Sequence, residues 1–500
     1  MIASATPSTT GLPTTLDDSV LEELRKAFDG ELVRPTDPTY EMARRAWNGM
    51  VDKRPALIAR PRGTADVVAA VQFARKRDLE IAVRCGGHGT SGQSVTDGGI
   101  LIDLGLMRSV RVDRAARRAW VQGGCLLADV DREAQLHGLA TTGGVVSHTG
   151  VGGLTLGGGY GYLARRFGLA CDNVLSAEVV TASGDVLIAS PDEHGDLYWG
   201  IRGGGGNFGV VTGFEFRLHS FGPDILSVDL AYPIGDGPAA IGALLALAAD
   251  SPDALQTGAA VVTARPSPML PVAFHGSPVV FVSYTYADDV EEGKRFLPRL
   301  KAGGEPIAEF VEVLPYLRLQ RAADDAQTHG LRQYARSHFI RSTPDAFVGA
   351  FLARGGLDPE VAANGSMGQL GGSISRVSTD DSAFSGRDAQ FDLVVTSTWE
   401  DAAKDAERVA AARAYGDSIL PLSTGRSYVN AIESAETDKV RAAFGEATYD
   451  RLVAVKDRYD PDNVFHLNQN VRPSGGSSTC PADVLAVGPA VTPRRLRPLS

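Results

Sequence analysis

The sequence predicts an α+β protein of two lobes. At 500 residues and 52.7 kDa the chain exceeds what one hydrophobic core normally supports. Up to about residue 222, short apolar strand candidates alternate with dense glycine clusters. From Pro223 onward the glycines thin out, and longer alternating strands and amphipathic helices take over.

Residues 1–16, rich in Ser, Thr and Pro, are expected to be disordered, and Asp17 or Asp18 to cap a helix carrying Val20, Leu21, Leu24 and Phe28 on one face. Thr64 is a candidate N-cap for an Ala/Val-rich helix through Arg75, followed by a buried strand at 81–84 that runs into a glycine cluster. Further strands are expected at 100–104, 119–122, 178–181, 186–188 and 210–218, with a turn at Ser183-Gly184-Asp185 and a helix over 126–137 stopped by Gly138. In the second lobe, strands are expected at 279–286 and 391–398 and helices at 289–300 and 401–415. Helices at 438–444 and 449–458 lead to a polar, turn-rich segment, 460–470, expected to return to the first lobe. Residues 474–500 read as a disordered tail.

A formal net charge of -11 argues against nucleic acid or anionic lipid as a partner, since both require a basic surface. The longest apolar run, 239–249, is too short to span a bilayer. The N-terminus has neither a basic nor an apolar leader region, so a cytoplasmic location is expected. Cys85, Cys125, Cys171 and Cys480 form no C-x-x-C pair and read as reduced thiols; no metal site is expected.

Glycine is in excess, 57 of 500 residues against about 7% in an average protein. It concentrates in Arg84-Cys-Gly-Gly-His-Gly-Thr-Ser-Gly92, in Gly143 to Gly161, and in Arg202-Gly-Gly-Gly-Gly-Asn-Phe-Gly209. Such loops let backbone approach a ligand and present successive N–H groups to a diphosphate; the alternative is tight turns and close strand packing. Gly159-x-Gly161-x-x-Ala164, with Glu178 downstream, formally fits a nicotinamide dinucleotide fingerprint. It lacks the buried strand that should precede it, so that is the weaker reading.

The order Arg84-x-Gly-Gly-His88, Gly-Val-Gly-Gly…Gly-Gly-Gly-Tyr-Gly161, Leu197-x-Trp-x-x-Arg-Gly-Gly-Gly-Gly-Asn-Phe-Gly209 and Tyr459-Asp-Pro-x-Asn-x-Phe-x-x-Asn-Gln469 resembles the berberine bridge enzyme-like FAD-linked oxidases, in particular their bacterial branch, from about Leu21 to Pro473. The resemblance implies a two-lobed PCMH-type FAD-binding domain (17–222, core about 53–222). A substrate domain (223–426) with an antiparallel sheet flanked by helices follows, and a segment (427–473) returns to the FAD domain. It implies FAD joined to His88 by a single covalent link, because Val146 stands where many relatives carry a second linking cysteine. Cofactor contacts are implied for Arg84, Gly86, Gly87, Gly89, Thr90, Ser91, Gly92, Gly124, Gly144, Thr149, Gly150, Gly153, Leu154, Gly158, Gly159, Gly161, Gly209, Val210, Val211, Asn468 and Gln469.

Thr149 matches the family position near flavin N5 that influences oxygen access, and the adjacent His148 either faces substrate or shapes the loop. Tyr428, in Ser427-Tyr-Val-Asn-Ala431, is the best candidate base, with core packing as its alternative role. Ala431 replaces an aromatic residue of many plant relatives, and Ser366 and Gln369 stand near the place of a family carboxylate. The implied activity is oxidation of a small-molecule secondary metabolite by hydride transfer to the flavin, with molecular oxygen as acceptor. A flavin-bearing binding or resistance protein with little turnover is the alternative.

Overall fold

The computed structural model describes residues 16–432 and 437–475. In the first lobe, strands Glu31–Val33, Leu57–Arg60, Ile100–Asp103 and Ile81–Arg84 form a four-stranded sheet in that spatial order; Leu57–Arg60 and Ile81–Arg84 both run parallel to Ile100–Asp103. The crossover between the two parallel strands is the helix Thr64–Lys76. It buries Val67, Ala70, Val71 and Ala74 against Leu57, Ile100 and Ile102, as a right-twisted sheet needs one face covered. Thr64 is not the cap of this helix. Gly63 holds that position, and the Thr64 hydroxyl instead donates to Glu178 Oε1 at 2.5 Å. Glu178 also accepts from Thr212 Oγ1 at 2.6 Å, so it is committed to tying helix to sheet.

A second, five-stranded antiparallel sheet runs Val110–Asp113, Arg118–Gln122, Val210–Arg217, Val174–Val180, Val186–Ala189. The turn at Ser183 to Asp185 closes its last hairpin with Gly184 at φ 88°. The helix Leu127–Gln135 lies beneath it and ends near Gly138, at φ 64°.

The second lobe is built on a seven-stranded antiparallel sheet. Its spatial order is Ala308–Pro315, Asp224–Pro233, Pro278–Tyr286, Leu255–Thr263, Asn364–Gln369, Phe391–Trp399, Arg332–Ile340. Alternate residues such as Leu230, Val261, Val282 and Leu393 face helices Gly237–Ala249, Asp345–Ala353 and Asp405–Ile419, which bury Leu244, Phe351 and Tyr415 in return. The helix expected over 289–300 splits into Val290–Lys294, capped by the Asp289 carboxylate, and Leu297–Leu300, where Pro298 stands in the first turn.

The lobes are locked by buried polar contacts. Arg165 of the first lobe donates to Leu255 O (2.8 Å) and Leu370 O (2.6 Å) of the second, and Arg387 of the second pairs with Asp172 of the first at 2.6 Å. Helices Thr437–Phe444 and Glu446–Tyr459 then pack Val440, Phe444, Leu452 and Val455 into the first-lobe core beside Trp199, Phe208 and Phe214. At the end of the last helix Lys456 and Asp460 pair at 2.5 Å with neither side chain exposed. Lys456 Nζ also donates to Asn207 O (2.8 Å) and Phe465 O (2.9 Å), which fixes the segment that follows.

Leu16 already packs against the core, and Ser474 is tied to Asp457 by two hydrogen bonds. The rest of the expected disordered ends, 1–15 and 476–500, and Cys480 lie outside the described residues. Cys85, Cys125 and Cys171 are free thiols whose pKa burial pushes up. Among the described residues no helix is long and apolar enough to cross a membrane.

Candidate active site

The glycine clusters converge on a cavity of about 300 Å³. Its walls come from residues 81–94, 149–156, 205–211, Tyr428 with Asn430, and Phe465 to Gln469, so the first lobe and the returning segment build it. Two loops meet there backbone to backbone. A Cβ on Gly86 would stand 2.4 Å from Gly150 N, and one on Gly150 would stand 2.3 Å from Gly86 N and 2.5 Å from Cys85 Sγ, so neither position admits a side chain. Gly87 turns the first loop at φ 70°, and a Cβ on Gly89 or Gly153 would meet no protein atom within 4 Å.

No Lys, Arg, Asp or Glu side chain lines this cavity among the described residues. A diphosphate there relies on backbone N–H groups and neutral side chains, the donor set that glycine loops supply. Two polar atoms on the wall, Ser94 Oγ and Asn468 Oδ1, are buried without a hydrogen-bond partner, although the opposite edge of Asn468 donates to Gly206 O at 3.0 Å and Phe465 O at 3.1 Å. Buried polar atoms in a folded protein are normally paired, so unpartnered ones in residues that line a cavity fit a polar ligand. Gln93 steadies this wall, donating to Asn468 O (2.6 Å) and accepting from Ser91 (3.0 Å) and Gln469 (3.2 Å). The residues present thus fit FAD.

His88 lines the cavity with its ring stacked on Trp47 (centroids 4.5 Å apart, 17° between planes), and its Nε2 is 2.7 Å from His148 Nδ1. Burial, and then the neighbouring His148 and His329, push its pKa down to about 3, so the imidazole is neutral near pH 7. His329, from the second lobe, stands edge-on to His88 at 5.9 Å.

Tyr428 reaches the opposite wall. Its oxygen accepts from Asn430 Nδ2 (2.8 Å) and Gly159 N (3.2 Å); burial drives its pKa upward, outweighing these two hydrogen bonds, which favour the ionised form. Behind it, 4.8 Å from ring to ring, Tyr160 donates to the buried Asp392, which also accepts from Ser337 Oγ at 2.5 Å. Burial pushes Asp392 up to about 6.

Of the residues singled out from the sequence, Gly86, Gly87, His88, Gly89, Ser91, Thr149, Gly150, Gly153, Leu154, Gly209, Val210, Val211, Tyr428, Asn468 and Gln469 are brought together on this wall. Others stand off it. Arg84 turns its guanidinium away, onto Asp103 (3.0 Å) and the carbonyls of Ala43 and Arg45. Thr90 offers its carbonyl to Asn48, and Gly92 packs on Val51. Gly124 abuts Leu104 O, Gly144 abuts Leu154, Gly158 abuts Phe384, and Gly161 abuts the Gly143 and Gly144 carbonyls; these four serve close packing. Gly159 contributes through its N–H to Tyr428, and His148 through His88. Trp47, Gln93, Ser94, Asn430 and His329 belong to the site without a local signal that marks them, apart from Asn430 in Tyr-x-Asn.

Two family models match the chain: an FAD binding domain over residues 55–190, and a "Berberine and berberine like" domain over 427–472. The (R)-6-hydroxynicotine oxidase of Paenarthrobacter nicotinovorans is 31% identical over 464 residues, covering 90% of this chain and 98% of the relative. An FAD-linked oxidoreductase of Dictyostelium discoideum is 30% identical over 460 residues, 91% and 97% of the two chains. Among solved structures, 6-hydroxy-D-nicotine oxidase from Arthrobacter nicotinovorans superposes with a TM-score of 0.79 at 29% identity, covering 89% of this chain and 98% of the other. The glucooligosaccharide oxidase of Acremonium strictum, described as carrying a 6-S-cysteinyl, 8α-N1-histidyl FAD, shares the fold at a TM-score of 0.81 and 23% identity, over 91% and 99% of the chains.

Proposed function

Since the chain belongs to the berberine bridge enzyme-like FAD-linked oxidoreductases, we propose that it is an oxidase with FAD joined covalently to His88, acting on a small-molecule secondary metabolite with molecular oxygen as electron acceptor. The observation that carries this reading is His88, a neutral imidazole on the cavity wall among glycine loops, clamped by Trp47. Bound there, FAD supplies a two-electron acceptor for hydride from substrate and passes the electrons to oxygen.

The chain's own residues do the rest. Backbone N–H groups around Gly86 to Gly89 and the unpartnered Ser94 and Asn468 atoms hold the cofactor, with residues 17–222 and 427–473 as the cofactor-holding unit. The seven-stranded sheet of 223–426 forms the substrate side. Tyr428, with its oxygen already accepting two hydrogen bonds, donates its proton-bearing O–H to substrate and orients it; it does not take the substrate's proton. Thr149, also on the cavity wall, sits beside the oxygen path.

The test is the absorbance of acid-precipitated protein, wild type against His88→Ala, with peroxide release measured on a panel of secondary alcohols and amines. Yellow colour should stay in the wild-type pellet and leave the variant's. Colour in the wild-type supernatant overturns the covalent link. A bound flavin that stays oxidised with every tight-binding compound supports instead a carrier that sequesters its ligand.

A further inference from the structure

We propose that His148 is a positioning residue for the attachment of flavin to His88, holding the His88 proton on Nε2 and then taking it. This rests on the covalent link proposed above. The geometry is specific. His88 Nε2 and His148 Nδ1 are 2.7 Å apart, so one nitrogen donates and the other accepts. Two arrangements satisfy the bond, but only one leaves His88 reactive. With the proton on His88 Nε2 and a bare lone pair on His148 Nδ1, the other His88 nitrogen, Nδ1, carries a lone pair in the ring plane. Reversing the donor leaves Nδ1 of a neutral His88 protonated and unable to form a bond.

Stacking on Trp47 fixes the ring plane, so the tautomer is the remaining variable, and His148 sets it. His148 belongs to the loop of Thr149 and Gly150 that packs against Gly86, which explains how a residue off the cavity wall reaches His88.

The step balances as follows. His88 Nδ1 forms a bond to the carbon of the flavin C8 methyl group, and that methyl group loses one proton. His88, now carrying substituents on both nitrogens, gives its Nε2 proton to His148 Nδ1. Across the whole change a methyl C–H and a ring N–H are replaced by one C–N bond, and two electrons and two protons leave to molecular oxygen as hydrogen peroxide. The proton taken by His148 has an outlet toward the exposed His329, whose ring centre lies 5.3 Å from that of His148. The link is therefore predicted at Nδ1 of His88.

The experiment adds FAD to flavin-free full-length protein in air and follows the flavin that stays with acid-precipitated protein, for wild type, His88→Ala, His148→Ala and His148→Gln. The bond position is read by mass spectrometry and NMR of the flavin peptide. The expected result is covalent incorporation slowed by about 100-fold in His148→Ala, as for loss of a general base, with reversible FAD binding retained. His148→Gln accepts from Nε2 without gaining a proton and falls between, and it carries the test if the alanine variant does not fold. Incorporation at the wild-type rate in a folded His148 variant, or a bond at Nε2, overturns the proposal. Wild-type flavin released entirely by acid instead overturns the His88 link itself, which separates the two failures.

Discussion

Replacing Lys456 by Met is expected to destabilise the flavin lobe by about 3–5 kcal/mol, the cost of breaking a buried ion pair by removing one partner. Both side chains of the Lys456–Asp460 pair have zero exposed surface, and Met matches most of the volume of Lys, so the penalty is electrostatic. Asp460 would keep its hydrogen bonds from Val464 N (2.8 Å) and Phe465 N (2.9 Å) but lose the Lys456 ammonium, and the carbonyls of Asn207 and Phe465 would lose a donor. The same ammonium holds the turn that presents Phe465, Leu467, Asn468 and Gln469 to the cavity, so reversible FAD affinity should fall together with stability. Urea unfolding followed by circular dichroism measures the first effect and flavin fluorescence titration the second. The double variant Lys456→Met/Asp460→Asn should recover part of the loss, since it no longer buries a lone charge. A single-variant cost below about 1 kcal/mol, or a double variant no better than the single, would refute the assignment of the cost to an uncompensated carboxylate.

Gly150→Ala should cost about 1–3 kcal/mol and abolish tight FAD binding, because the added carbon meets the Gly86 backbone and must spread the two loops; wild-type affinity by titration would sink this reading. Asp392 gives a pH signature. Its carboxyl, ordinarily near 3.8, is raised to about 6, so between those values the folded form binds the proton that the unfolded chain has released, and stability falls as pH rises through that window. Asp392→Asn should flatten that slope in urea midpoints taken from pH 4 to 7. Asp131, raised to about 7 by burial, contributes the same sign and leaves a residual slope that Asp131→Asn removes.

The glycine clusters were legible because their density exceeds what turns require, and 15 of the residues singled out from the family resemblance that those clusters carry share one cavity wall. What the spacing could not distinguish is whether a glycine lets backbone approach a ligand or another piece of protein. Gly153, on the cavity wall with no protein atom near its Cβ position, is placed for the former, whereas Gly124, against Leu104 O, does the latter, within loops of similar texture. Arg84 stood beside the key motif and invited a phosphate contact, yet Asp103 on the neighbouring strand claims it, a pairing set by register rather than local sequence. Trp47 and His329 reach His88 from distant stretches that no periodicity links to it. Tyr428 was expected as a base; the burial that holds its proton is set by tertiary packing that no local sequence shows, while the hydrogen bonds its oxygen accepts from Asn430 and Gly159 act in the opposite direction.

The order in which the cavity walls occur along the chain bears on how the protein is made. The first wall is contributed by residues before 100 and the last by Phe465 to Gln469, with the whole second lobe synthesised in between. Both lobes have therefore been synthesised before all the cavity walls are present. Enclosure of the flavin thus waits for the segment that follows the second lobe, so the last wall to be made is the one that closes the site.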